Sequence, residues 1–290
     1  MAGRFLARGQ ASRLAGRVTT TLEQVDRAVD RLAGAAATGT PCAPVRDLVD
    51  PADVETAYRV QARLVAARTA AGARRIGRKI GLTSPAVQAQ LGVDSPDFGT
   101  LLDDMLVGQD EPVPAGRLLQ PRIEAEVAFV LAADLDDPDP GLAAVTAAVA
   151  VARPALEIVD SRIAGWDITL ADTVADNASS GLFVLGDAEV PLSRLDTVGV
   201  QMEMARDGTV VSTGSGAACL GDPLVALRWL ARTSARLGDP LRAGEVVLSG
   251  ALGPMVPVSP GETYTARLSG LGEVRAVFAP AVVTGREGQA

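Results

Sequence analysis

The chain has 290 residues, 48% of them hydrophobic and 21% charged, enough apolar content for one large globular domain or a small domain attached to a larger one. A net charge of −8, with aromatics at 3%, argues against a nucleic-acid-binding face and for a small-molecule partner. Histidine is absent, which excludes Ser-His-Asp triads, Cys-His pairs and HExxH zinc sites within one subunit, and two cysteines, Cys42 and Cys219, cannot build a four-thiolate site. Any bound metal must then be held by oxygen, which favours Mg²⁺, Mn²⁺ or Ca²⁺ over zinc.

In chain order, the first stretch carries Arg4, Arg8, Arg13 and Arg17 with no acid before Glu23. It imitates a transit peptide, but arginine is the general cation of this chain, and we read the protein as cytoplasmic. Residues 20–38 place Leu22, Val25, Val29, Leu32 and Ala36 at helical spacing. Residues 52–71 do the same with Val54, Ala57, Val60, Leu64 and Ala67. From about residue 75 the pattern changes to short apolar runs broken by Gly, Pro and Asp, at 78–82, 124–131, 155–159, 182–185, 198–204, 245–248, 264–268 and 274–278, which predict strands. Helices are predicted at 143–151 and 223–237. The longest apolar run, 142–152, is far short of the ~20 residues a membrane span needs. The expected fold class is α+β, a helical N-terminal region (1–74) followed by a β-rich catalytic region (75–290).

Of the 27 basic residues, one is lysine, Lys79, and 26 are arginine. A drift this complete suggests that arginine stands wherever a plain positive charge suffices. A position that resists it is a candidate for a titrating amine or a compact point charge. Two glycine-rich stretches fail as nucleotide motifs. In GARRIGRK the lysine falls one residue late for a phosphate loop, and in GSGAACLG Cys219 holds the third glycine position of a dinucleotide fingerprint.

The segment LQPRIEAEVAFVL carries the strongest local signal. Strand alternation puts Glu124 and Glu126 on one face with Ala128 and Val130, inside a run that is apolar on both faces. PALEIVDSR repeats the anomaly with Glu157. Buried carboxylates need neutralisation, either by a hard divalent cation or by arginines such as Arg122 and Arg162. Paired-carboxylate chemistry on a sugar is less favoured, because aromatic platforms are scarce. Polar turns at 93–99, 172–181 and 248–254 offer Asp94, Asp97, Asp172, Asp176, Asn177, Ser179, Ser180, Ser249 and the backbone around Gly250.

Taken together, KIGLTSPAVQAQLGVDSPDFG, LQPRIEAEVAFVL, PALEIVDSR, DTVADNASSGLFVLG and VVLSGALGPMVPVSPG resemble the 2-keto-4-pentenoate (2-hydroxypenta-2,4-dienoate) hydratase family within the fumarylacetoacetate hydrolase superfamily, from about Leu22 to Phe278. The resemblance implies a body of the fumarylacetoacetate hydrolase C-terminal type and Mg²⁺ or Mn²⁺ held by Glu124, Glu126 and Glu157. It also implies a catalytic Lys79 in KxGLT, a catalytic Asp97 in PDFG, and substrate contacts at Ser179, Ser249 and Gly250. The implied reaction is hydration of the dienoate to 4-hydroxy-2-oxopentanoate in meta-cleavage catabolism of aromatics or steroids. A homo-oligomer and a downstream aldolase as pathway partner are implied with it. The alternatives are the related 2-oxo-3-hexenedioate (4-oxalocrotonate) decarboxylase and a catalytically silent scaffold subunit.

Overall fold

The structure, a computed structural model, describes residues 20–84, 88 and 95–281, so the N-terminal arginines and Asp94 lie outside the described residues. Helix α1 (Leu22–Thr38) starts at a reciprocal cap in which Thr21 and Gln24 each satisfy the other's backbone N–H, and ends at Gly39. Helix α2 (Val54–Ala70) is capped by Asp53, whose side chain accepts from the Thr56 N–H. Their inward faces, Val25, Ala28 and Leu32 with Ala57 and Val60, form a core together with Ile163, Ala171 and Val174 from the later chain. The helical layer therefore buries its apolar stripe against the body. Gln61 fastens the two: its Nε2 donates to the carbonyls of Phe98 and Val174 at 3.0 and 2.9 Å.

The body is built from β1 (Arg75–Gly81), β2 (Asp97–Leu102), β3 (Leu106–Val107), β4 (Arg122–Leu131), β5 (Val149–Val159), β6 (Ser180–Leu185), β7 (Gln201–Arg206), β8 (Thr209–Ser215), β9 (Val246–Leu248), β10 (Val256–Pro257), β11 (Thr263–Leu268) and β12 (Gly272–Val277). One sheet runs β2-β1-β9-β4-β5-β6-β3 with β10 added beside β4, and a second runs β12-β11-β7-β8. The long antiparallel β4–β5 ladder is the spine of the first sheet, and the apolar residues on the face opposite the glutamates, Phe129, Leu156 and Ile158 among them, are fully buried. No helix among the described residues is long and apolar enough to cross a membrane. The fold is α+β, helices first and a mixed β body after them, as the sequence predicts.

Two of the differences from expectation show what decides between helix and strand. The predicted helix 143–151 ends at Ala147, and Val149 already opens β5. A Val/Ala run is compatible with either state, and pairing of Val149 and Val151 with Leu131 and Val130 of β4 decides for the strand. The predicted strand 198–204 lies at Gln201–Arg206 and turns back into β8, which the reading missed. The turn is Asp207-Gly208, both at positive φ (48° and 83°), a hairpin signal present in the sequence.

Candidate metal centre and cavity

Glu124 and Glu126 stand two residues apart on β4, and Glu157 of β5 is paired directly with Glu124, so all three side chains leave the same face of the sheet. One oxygen from each lies within 4.8 Å of the others. Glu126 and Glu157 are buried, whereas Glu124 is partly exposed. Glu126 accepts a 2.6 Å hydrogen bond from the Gly250 N–H, but its other oxygen has no partner. Glu157 faces Lys79 Nζ at 3.2 Å, and neither of its oxygens makes an aligned hydrogen bond. Burial first, and the Glu157 charge second, push Glu124 up to about 7; the same causes, with Glu124 added, hold Glu126 well above the usual carboxylate range. Three crowded carboxylates with orphaned oxygens and no nitrogen or sulfur among them fit a hard divalent cation.

Lys79 on β1 and Asp97 on β2 complete the cluster. In the β1–β2 register Asp97 lies opposite Gly81, two residues beyond Lys79. A Cβ on Gly81 would come within 2.2 Å of Asp97 Oδ1 and 3.4 Å of Lys79 Nζ, so glycine leaves the space between β1 and β2 to these two side chains. This is the physical content of the Lys-x-Gly spacing. Burial lowers the Lys79 pKa, but Glu157, Asp97, Glu124 and Glu126 outweigh it and hold the amine above its ordinary value, as an ammonium. Burial raises Asp97 more than Lys79 lowers it, and Asp97 Oδ1 has no hydrogen-bond partner.

These groups open on a cavity of about 430 Å³ whose lining includes Lys79, Asp97, Arg122, Glu124, Trp166 and Ser179. Ser179 ends a run of three non-glycine residues, Asn177 to Ser179, at φ near 52°, each costing on the order of 1–3 kcal/mol. The run is held by the Asn177 side chain, which accepts from Thr100 N and donates to Thr100 O at 2.8 and 2.9 Å, and the Ser179 hydroxyl meets that of Thr173 at 3.1 Å. Ser249 is fully buried outside the cavity lining, its hydroxyl directed to the Gly250 carbonyl. Gly250 acts on the site through its N–H to Glu126; at φ 105° it leaves no room for a Cβ against Thr83.

Neither arginine weighed as a counter-ion meets a glutamate. Arg162 is spent on Asp176 and the Ser180 carbonyl, and Arg122 lies over the Trp166 ring, 4.5 Å from its centroid. Sequence reading missed Trp166 and Thr173 as cavity residues and saw Arg122 only as a salt-bridge partner. Asp160 was missed as well: it accepts from the Leu119 and Gln120 N–H groups and fixes the segment leading into β4. Its place directly after the strand carrying Glu157 was the available signal.

A carboxylate cluster on a long antiparallel ladder, with lysine and aspartate supplied by β1 and β2, is a donor set that could hold a hard divalent cation on an α+β body. Residues 66–279 match the family described as fumarylacetoacetate (FAA) hydrolase C-terminal, and the chain belongs to that family. It is 52% identical over 258 residues to a 2-keto-4-pentenoate hydratase of Paraburkholderia xenovorans (strain LB400), covering 89% of this chain and 96% of the relative. It is 43% identical over 232 residues to a 2-hydroxyhexa-2,4-dienoate hydratase of Comamonas testosteroni, covering 79% and 88%. Among solved structures it resembles 4-oxalocrotonate decarboxylase from Pseudomonas putida G7 complexed with magnesium and adipate, with a TM-score of 0.86 and 35% identity over 90% of this chain and 99% of that one.

Proposed function

We propose that the protein is a hydro-lyase that converts 2-hydroxypenta-2,4-dienoate, through its 2-oxo tautomer, into 4-hydroxy-2-oxopentanoate. The observation that carries the reading is the convergence of Glu124, Glu126 and Glu157 beside a cavity lined by Glu124, Lys79 and Asp97, in a chain 52% identical to a named hydratase. Glu124, Glu126 and Glu157 would hold Mg²⁺ or Mn²⁺, which would supply Lewis-acid stabilisation of the negative charge developing on the substrate. The rest falls to the chain's own groups.

Ketonisation breaks the enol O–H and forms a C–H bond at the fifth carbon, shifting the double bonds to a conjugated 2-oxo-3-enoate. Water then gives its oxygen to the fourth carbon and a proton to the third. Asp97, buried and with one oxygen free, takes and returns the proton in these steps. Lys79, kept as an ammonium by its acidic neighbours, donates toward the charge that develops on the 2-oxygen while holding Glu157 in place. Thr173 and Ser179 supply further hydroxyls to the cavity lining, where water can be held.

A homo-oligomer, a cytoplasmic setting, a role in aromatic or steroid catabolism and a downstream aldolase belong to the same proposal. The decarboxylase reading shares the site but rests on a likeness at lower identity. The experiment is an ultraviolet assay of dienoate loss with and without EDTA, followed by product identification. EDTA-sensitive formation of 4-hydroxy-2-oxopentanoate supports the reading; CO₂ release from 2-oxo-3-hexenedioate with no dienoate hydration overturns it.

A further inference from the structure

We propose that Arg122 is the residue that grips the substrate's carboxylate, using its guanidinium on a Trp166 platform as a fixed two-pronged donor. The inference rests on the reading of the cavity as a 2-oxo acid site. Among the described residues Lys79 and Arg122 are the two cationic residues that line the cavity, and Lys79 already pairs with Glu157 and serves the 2-oxygen. Among the described residues the Arg122 guanidinium has neither an ion pair nor a hydrogen bond; its contact is the Trp166 ring, 4.5 Å away. Stacking leaves the edge of a guanidinium, and so its N–H groups, free for a planar anion.

The platform is itself fixed. Trp166 Nε1 donates to the Gln120 carbonyl at 3.1 Å, and the Gln120 side chain accepts from Gly165 N at 2.7 Å while donating to the carbonyls of Ser161 and Ile163. Arg122 and Trp166 are thus tied to the same short stretch of chain. Their spacing from the carboxylates follows from the strand: Arg122 shares the β4 face with Glu124 and Glu126 and stands one two-residue repeat, about 7 Å, beyond Glu124.

Charge decides the role. Four carboxylates, Glu124, Glu126, Glu157 and Asp97, surround one ammonium, a setting that repels an anionic substrate. A bound divalent cation balances part of that charge, and an uncommitted guanidinium at the adjoining position supplies the remaining attraction together with planar, bidentate geometry matched to a carboxylate.

The test is calorimetric titration of the Mn²⁺-loaded protein with 2-oxopentanoate, a monocarboxylate lacking the reacting double bonds, in wild type, R122Q and R122K. We expect R122Q to bind it roughly 10–100-fold more weakly, with Mn²⁺ affinity within about twofold of wild type and the thermal melt retained. R122K, which keeps the charge without the planar fork, should lose several-fold. Unchanged 2-oxopentanoate affinity in R122Q overturns the proposal. So does a loss confined to the dicarboxylate 2-oxoadipate, which would place a distal carboxylate at Arg122, or a parallel fall in Mn²⁺ affinity. Should R122Q fail to fold, R122K decides, and wild-type affinity in it is equally fatal. Dienoate hydration by the wild type is measured separately, so failure of the hydratase reading shows there while the binding comparison still reports on Arg122.

Discussion

Glu124 and Glu157 stand directly opposite one another across the β4–β5 ladder, two carboxylates at one register position of an antiparallel pair. Such a pair is destabilising by itself, since like charges at directly opposed positions repel, and Glu126 and Asp97 add to the crowding. The arrangement makes sense as a cation site and is a liability for folding without one.

Removal of one of these charges should therefore stabilise the metal-stripped protein. Glu124→Gln is expected to raise its unfolding free energy by roughly 0.2–1 kcal/mol. The same change should lower Mn²⁺ affinity by well over about tenfold, because even supporting residues around metal ligands are worth that much. Melting curves with and without Mn²⁺ check both halves, and a stripped Glu124→Gln that melts below wild type contradicts the account.

The acid cluster also fixes the direction of pH dependence. Glu124 is pushed up to about 7 and Glu126 is raised as well, so in the stripped fold both bind protons more tightly than in the unfolded chain. Their contribution to stability is present below the ordinary glutamate value and is lost as pH rises, that of Glu124 through about 7. A bound cation competes with those protons, so its apparent affinity should climb between pH 5.5 and about 7 and its binding near pH 6 should release protons. Calorimetry in two buffers of different ionisation enthalpy measures the release; equal heats in both would count against it.

Lys79 should not tolerate arginine. Its side chain is 4% exposed, between Glu157 and the Gly81–Asp97 contact, a slot cut for a narrow ammonium. Lys79→Arg is expected to lower kcat by about 10²–10⁴-fold with Mn²⁺ affinity changed far less. Steady-state turnover near the wild-type rate would remove Lys79 from the chemistry.

The two cysteines should be told apart by their reactivity. Cys219 is fully buried, donates to the Ser249 carbonyl, and has its thiol pushed up to about 12 by burial, whereas Cys42 is partly exposed and raised less decisively. A thiol reagent at pH 8 should titrate one cysteine per native chain and two in denaturant. Two fast thiols in the native protein would contradict the buried placement.

Strand periodicity alone put Glu124 and Glu126 on one face and marked Glu157 as anomalous, and the β4–β5 pairing bears out that they converge. The lone lysine pointed to Lys79. What stayed hidden depends on contacts distant in sequence. No local pattern tells that Arg122 lies on Trp166, that Arg162 is taken up by Asp176, or that Ser249 lies outside the cavity lining. The stretch 93–99 read as a polar turn because Asp94, Asp97 and Gly99 are turn formers, yet from Asp97 to Leu102 the chain is a strand paired with β1. The boundary at 147–149 was ambiguous for a different reason: valine and alanine satisfy either period, and only the partner strand breaks the tie.

Gln61 ties the shape of the cavity to the helical layer. Its one amide nitrogen holds the carbonyl next to Asp97 and the carbonyl next to Thr173, so two lining segments of the pocket meet at a residue that does not itself line it. Helix α2 acts as a buttress whose loosening would spread those segments while the β4–β5 spine stays intact. Heat inactivation of this protein should accordingly begin as a loss of catalytic alignment at temperatures where the sheet is still whole.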